Sequence, residues 1–161
     1  MESISKLQQT NPLVPIQLVD KLEKNTDMSL PQVYREFLLQ YNGGIPFYNT
    51  YDVISEHTKI ILYKIVVSQF LGIHKGSADD IETVYQAVKS RIPPKMLPIA
   101  YDQFKNIICI ATDETELGKI YFCALMPKIP GLSEMLGAQQ KILVASDFEY
   151  FTEKLYRQRF Q

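Results

Sequence analysis

The chain has 161 residues, of which 46% are hydrophobic and 22% charged, and its formal net charge is −1. This composition suits one globular domain with a real core and excludes a disordered chain. A balance this neutral also argues against a general nucleic-acid binder, which needs a concentrated basic field to neutralise phosphates.

Two cysteines make neither a disulfide framework nor, by themselves, a metal site. The opening MESISKLQQTNP has no basic start followed by an apolar run, so no secretory signal is expected. The greasiest stretch, Ile60 to Ile73, is broken by Lys64, Ser68 and Gln69 and falls short of the about 20 apolar residues a membrane helix needs. The expectation is a soluble, cytoplasmic protein with no cofactor, no membrane contact and no direct nucleic-acid contact.

Residues 1–14 read as an N-terminal extension with a short helical turn ended by NPLVP, and 15–161 as the core of a single domain. Pro15 suits the first turn of a helix through about Lys24, with Ile16, Val19 and Leu22 inward. The next helix is announced by SLPQVYREFLLQYNGG. Ser29 and Gln32 have capping-box spacing, and Leu30, Val33, Tyr34, Phe37, Leu38 and Tyr41 repeat at helical period. Asn42, Gly43 and Gly44 tolerate the left-handed conformation that closes a helix, and Pro46 forbids resumption.

From Ile45 the signal changes to strands. PFYNTYDVI and KIILYKIVVSQFLGI are rich in β-branched and aromatic residues. After the turn KGS, the Ser77/Asp80 spacing opens a helix carrying Ile81, Val84, Tyr85 and Val88, which Pro93 and Pro94 stop. MLPIAYD reads as a short strand. NIICIAT and KIYFCAL read as a hairpin joined by the acidic turn DETELG, and KILVA as a last strand. Ser146 and Glu149 repeat the capping-box spacing before DFEYFTEKLYRQRF, a closing helix with Phe148, Phe151 and Leu155 inward. This order predicts an α+β fold with a central, mostly antiparallel sheet flanked by helices, the helices lying on one side.

Several of these pieces are similar, in order, to the SUKH superfamily, which includes the yeast cell-wall assembly regulators of the Smi/Knr type. LPQVYREFLLQYNGGIP resembles its signature through Leu30, Pro31, Tyr34, Phe37, Leu38, Asn42, Gly43 and Gly44. FLGI, RIPPKMLPIAYDQFKNIICI, GKIYF and VASDFEYFTEKL follow in family order, with Pro98, Asp102 and Asn106 as further motif positions. The resemblance implies a mixed α/β fold and no catalytic activity. It implies an immunity protein that binds and neutralises a cognate bacterial toxin, often a nuclease, or else an intracellular regulatory adaptor of the fungal kind. Lys105 stands where the family has Gly, which implies a differently built turn. Cys123 stands where many members have Trp, which implies altered packing or partner choice.

Independent signals of chemistry are weak. His57 and His74 belong to no metal-ligand pair, and no nucleophile elbow or phosphate-binding glycine loop occurs. Cys109 and Cys123 lie on the two hairpin arms, and one register sets them opposite each other. They read as buried apolar residues rather than a redox switch or half a metal site. Asp113, Glu114 and Glu116 crowd one turn and Asp102 ends a strand. They read as solvated turns, or as an acidic epitope for a basic partner. Tyr48 and Tyr51 join them as candidate contact residues, since tyrosine combines a large apolar body with a polar tip. An unrecognised small-molecule site would announce itself as a deep pocket with convergent polar groups.

Overall fold

The computed structural model describes residues 6–125 and 141–157. Four helices and eight strands are found there. The helices are α1 (Ile16–Thr26), α2 (Gln32–Gln40), α3 (Ile81–Val88) and α4 (Phe148–Glu153). Strands β1 (Leu7–Gln8) and β2 (Ile45–Pro46) form a small antiparallel pair. The main sheet joins β3 (Thr50–Ile54), β4 (Ile61–Phe70), β5 (Met96–Asp102), β6 (Ile107–Ala111), β7 (Ile120–Cys123) and β8 (Lys141–Ala145), each antiparallel to the next in chain order. The α+β class and the antiparallel sheet are as the sequence predicts.

The sheet is strongly rolled. In a flat sheet β4 and β7 would lie ~14 Å apart and β3 and β8 ~24 Å apart. Yet the rings of Tyr63 on β4 and Phe122 on β7 are 5.6 Å apart, and the Tyr51 hydroxyl on β3 donates to the Val144 carbonyl on β8 at 2.5 Å. Bulges at β4, β5 and β7/β8 supply the bend. One of them sits beside Pro98, which lacks an N–H to give to a central strand. Every residue of β6 and β7 is buried, so both faces of these central strands are covered. The expectation of helices on one side of an open sheet is therefore too simple. A rolled sheet covers part of its own face.

The α2 stripe packs into this core as expected. Tyr34, Phe37, Phe70 and Phe148 form one aromatic cluster, with centroids 5.0–6.1 Å apart. Burial of a side chain that size contributes about 1.5–3 kcal/mol. The Tyr34 hydroxyl finds no hydrogen-bond partner there, and burial pushes its pKa up.

The end of α2 is held by a latch. Asn42 (φ 53°) and Gly43 (φ 82°) take the left-handed conformation. The buried Asn42 amide then pairs with one residue past β4 as a strand would. Its Oδ1 accepts from Ile73 N–H at 2.7 Å, and its Nδ2 donates to the Ile73 carbonyl at 3.0 Å and to the Pro12 carbonyl at 2.8 Å. The backbones touch here. A Cβ on Gly43 would stand 2.6 Å from the Leu71 carbonyl oxygen, and one on Gly72 would collide with the Asn42 carbonyl.

Local details depart from the sequence reading in four places. The three serine capping boxes do not form. Asp80 and Asp147 cap α3 and α4, accepting from Thr83 N–H and Tyr150 N–H, because a carboxylate is the stronger acceptor for a helix-end N–H. α2 begins at Pro31 with no side-chain cap. Ile16 is exposed, since α1 buries only Val19, Leu22 and Thr26. Leu7 and Gln8 pair with β2 rather than continue a helical turn. The closing helix stops at Glu153, because Tyr156 bridges the β3 edge through both its N–H and its carbonyl to Thr50. The expected end of that helix, from residue 158, lies outside the described residues.

Two substitutions separate latch from filler. Asn42→Ala orphans an N–H and two carbonyls, and chemical denaturation should show a loss of about 2–4 kcal/mol. Tyr34→Phe removes a buried hydroxyl without a partner. In the same assay it should leave stability unchanged or raise it by up to about 1 kcal/mol.

Candidate functional site

The candidate contact residues separate into three groups. Tyr51 and Asp102 are interior. Tyr51 is 5% exposed, its ring lies 4.9 Å from Phe151, and burial pushes its phenol up to about 12. Asp102 is 1% exposed and organises the β5–β6 turn. Its Oδ1 accepts from Phe104 N–H and Asn106 N–H at 2.8 Å each, and its Oδ2 from Asn106 Nδ2 at 3.0 Å. Both side chains are turned inward and supply bonds the fold itself uses. Tyr48 is half-buried after β2 and holds Lys6, whose ammonium lies 5.0 Å from its ring centroid. It does not line the groove described next.

Asp113 and Glu114 are surface residues of the β6–β7 turn, and the turn is braced from within. Asp113 Oδ1 accepts from the Thr115 hydroxyl at 2.6 Å and from Thr115 N–H and Glu116 N–H at 3.0 Å each. The Thr115 hydroxyl, above all, holds the Asp113 carboxyl below the ordinary aspartate value. Glu116 turns away from this acidic pair. It accepts from the Tyr121 hydroxyl at 2.8 Å and faces Lys119 and Lys141 at 3.9 Å. Burial, and then Glu116, push the Tyr121 phenol up to about 12.

Tertiary structure brings a second acidic pair to the first. Glu23 and Asp27, from the end of α1, line an open groove of about 670 Å³ together with Asp113 and Glu114, over Met28, Ser29, Thr112 and Leu117. Lys95 is the single basic lining residue, and its ammonium is spent on Asp27, on the carbonyl at 2.5 Å and the carboxylate at 3.2 Å. Arg35 pairs with Glu23 from the side. Thr112, just past β6, is pinned to Lys95, just before β5, donating to its carbonyl through both its N–H (2.9 Å) and its hydroxyl (2.8 Å). Leu117 stands 52% exposed at the rim, an apolar anchor among carboxylates. Glu23 is held by Arg35 and the Leu30 N–H, and Asp27 by Lys95, so Asp113 and Glu114 carry the excess negative charge of the groove, which can attract a basic protein surface. Glu23 and Asp27 escape a reading of the sequence, where KNTD signals only a helix stop. Nothing local ties them to a turn some 85 residues away.

The cysteines and histidines stand apart from this groove. Cys109 pairs with Tyr121, not Cys123, so the two thiols are diagonal neighbours on one face rather than directly opposite. Both are free and buried, and burial, then Cys123, pushes the Cys109 thiol well above its ordinary value, away from the reactive thiolate. Cys123 is buried and packs within the sheet. Lys105 keeps a left-handed φ of 63°, with its ammonium 4.7 Å from the Tyr101 ring centroid. The turn thus takes a conformation suited to glycine at a cost of about 1–2 kcal/mol, offset by the Asp102 bonds. His57 and His74 are exposed. Among the described residues no three His, Cys, Asp or Glu side chains converge as a metal cluster, and no helix is long and apolar enough to cross a membrane.

The model of the SMI1 / KNR4 family (SUKH-1) matches residues 14–154. A comparison with curated proteins finds no match. The matched span takes in every motif residue from Leu30 to Asn106. Those residues are scaffold here: Leu30, Tyr34, Phe37 and Leu38 are core, Asn42 and Gly43 the latch, Asp102 and Asn106 the turn.

The Asp113 brace has a pH signature. A lowered carboxyl pKa stabilises the fold above the ordinary aspartate value, and that contribution is lost as pH falls through the folded-state pKa. Carboxyl titration by NMR should find Asp113 below the ordinary midpoint. Thr115→Val, which removes the hydroxyl, should move it back up.

Proposed function

Because the chain belongs to the SMI1 / KNR4 family (SUKH-1), we propose that it is a non-catalytic protein-binding module: an immunity protein that binds a cognate bacterial toxin in the cytoplasm and holds it inactive. The acidic groove carries this reading. A toxin that cuts nucleic acid needs an electropositive active site to hold phosphate. A preformed set of carboxylates competes for that surface, and long-range attraction speeds the encounter. Asp113 and Glu114 supply the field, and Leu117 supplies apolar contact. The inhibitor acts stoichiometrically by covering the active site or the substrate face, with no cofactor and no reaction of its own.

A second reading, an intracellular regulatory adaptor, draws on a different surface. Leu13, Val14 and Leu18 line an apolar groove with Ile73 between α1 and α3, and Leu13 and Leu18 are exposed. A groove of this kind takes apolar anchors from a partner segment.

Co-expression with any toxin-like domain encoded beside the gene, scored by host survival, separates the two. Under the immunity reading this chain rescues the host and forms a complex with the toxin. Reversing Asp27 and Glu114 to Lys, both exposed side chains, should slow association roughly 10-fold or more and reduce its salt dependence. Absence of rescue, with signalling proteins recovered in a pull-down, would shift the assignment to the adaptor. Rescue that survives the double reversal with an unchanged on-rate would remove the acidic groove from the account.

A further inference from the structure

The β3–β4 hairpin outruns the sheet that carries it. β5 pairs with β4 only from Val67 onward, whereas β3 pairs with it from Ile61 to Val66. Among the described residues, the far half of the hairpin is therefore a two-stranded ribbon. Such a ribbon is marginal in water unless one face is covered.

Its end is apolar where a solvated turn is expected to be polar. Ile54, Ile60, Ile61 and Leu62 are 50%, 62%, 45% and 42% exposed. They are four of the eleven large apolar side chains exposed among the described residues, and they fall within positions 54–62. A bulge concentrates them. The register shifts between Val53 and Ile54, so that Ile61 and Leu62 together oppose the single residue Ile54. Two consecutive residues that would otherwise alternate faces are gathered against a third. Isolated exposed aliphatics are ordinary, but a contiguous set on a projecting element marks a contact surface.

The charges around the patch say what fits it. Asp52 and Lys64 neutralise each other within the ribbon at 2.8 Å. The turn that remains carries one carboxylate, Glu56, and one ammonium, Lys59, both exposed, with His57 between them. The turn is held in shape by its own bonds, Ser55 N–H to the Ile60 carbonyl and Lys59 N–H to the Ser55 carbonyl, at 2.9 Å each. Such a rim offers no net field to a basic or an acidic partner, unlike the groove lined by Glu23, Asp27, Asp113 and Glu114. It is complementary to itself. Two ribbon ends related by a two-fold axis can bury the aliphatic cluster of each against the other and set Glu56 of each copy on Lys59 of its mate.

We infer that the end of the β3–β4 ribbon is a self-association surface through which two copies of this chain form an isologous dimer. The inference stands on this element alone and is independent of the toxin-binding reading.

The test uses the full purified chain without a partner. Sedimentation velocity across the micromolar range should show a monomer–dimer equilibrium. Ile61→Glu should shift it to monomer while the far-UV circular dichroism stays unchanged, since the side chain is exposed. Glu56→Lys and Lys59→Glu should each weaken the dimer about 10-fold or more by placing like charges together. The two combined should restore it, a pattern that a merely sticky patch does not produce. Any of three results would overturn the inference. These are a chain that stays monomeric at every concentration, a dimer indifferent to Ile61→Glu, and single charge variants that associate like the wild type. A monomer that instead captures a different protein through Ile60 and Ile61 would overturn it as well.

Discussion

The rest of the structure depends on the buried amide of Asn42. A helix end leaves carbonyls without partners, and a strand end leaves N–H and C=O groups that no neighbour continues. The chain solves both problems with one side chain. Asn42 presents an acceptor and a donor to the two polar groups of Ile73, as an adjoining strand would, and gives its second N–H to Pro12. Three segments distant in sequence are tied at one point. The backbones approach so closely that Gly43 and Gly72 admit no side chain there. Phe37 of α2 thereby meets Phe70 of β4, and the aromatic core assembles between them.

The rolled sheet turns that core into a platform. Tyr51 reaches from the first strand of the sheet to the last, and Tyr156 returns along the β3 edge after α4. Both devices cover a sheet edge, which an open antiparallel sheet would leave available for aggregation. Two chemically distinct surfaces stand exposed at turns and hairpin ends: the carboxylates at the β6–β7 turn and the aliphatic end of the β3–β4 ribbon. A folded body with chemically distinct ends suits the binding role proposed above. Its loops can change while the latch, the core and the Asp102 turn stay constant.

Much of this was legible in the sequence because it is periodic. The α2 stripe, the hairpin arms around DETELG and the left-handed stop at NGG all encode local geometry in local residues. The sequence reading failed where two local signals competed or where a distant partner decided the outcome. Ser77 and Ser146 have good capping spacing, but Asp80 and Asp147 stand nearby with stronger acceptors and take the role. DFEYFTEKLYRQRF reads as one helix, yet the β3 edge needs the backbone of Tyr156 and ends the helix early. Asp102 looks like any acid at a strand end, and only the fold shows that three N–H groups enclose it.

Neighbouring residues alone carry the α+β class, the order of helices and strands, the hydrophobic stripe of α2 and the family to which the chain is similar. All of these follow from the identity and spacing of neighbouring residues, which fix backbone preference and face. Which charges stand together depends on contacts distant in sequence, and the groove shows why. Glu23 and Asp27 meet Asp113 and Glu114 because Lys95 reaches Asp27 with its ammonium while its backbone carbonyl holds Thr112. That chain of contacts spans three elements. A field is a sum over positions in space, and no spacing along the chain encodes it.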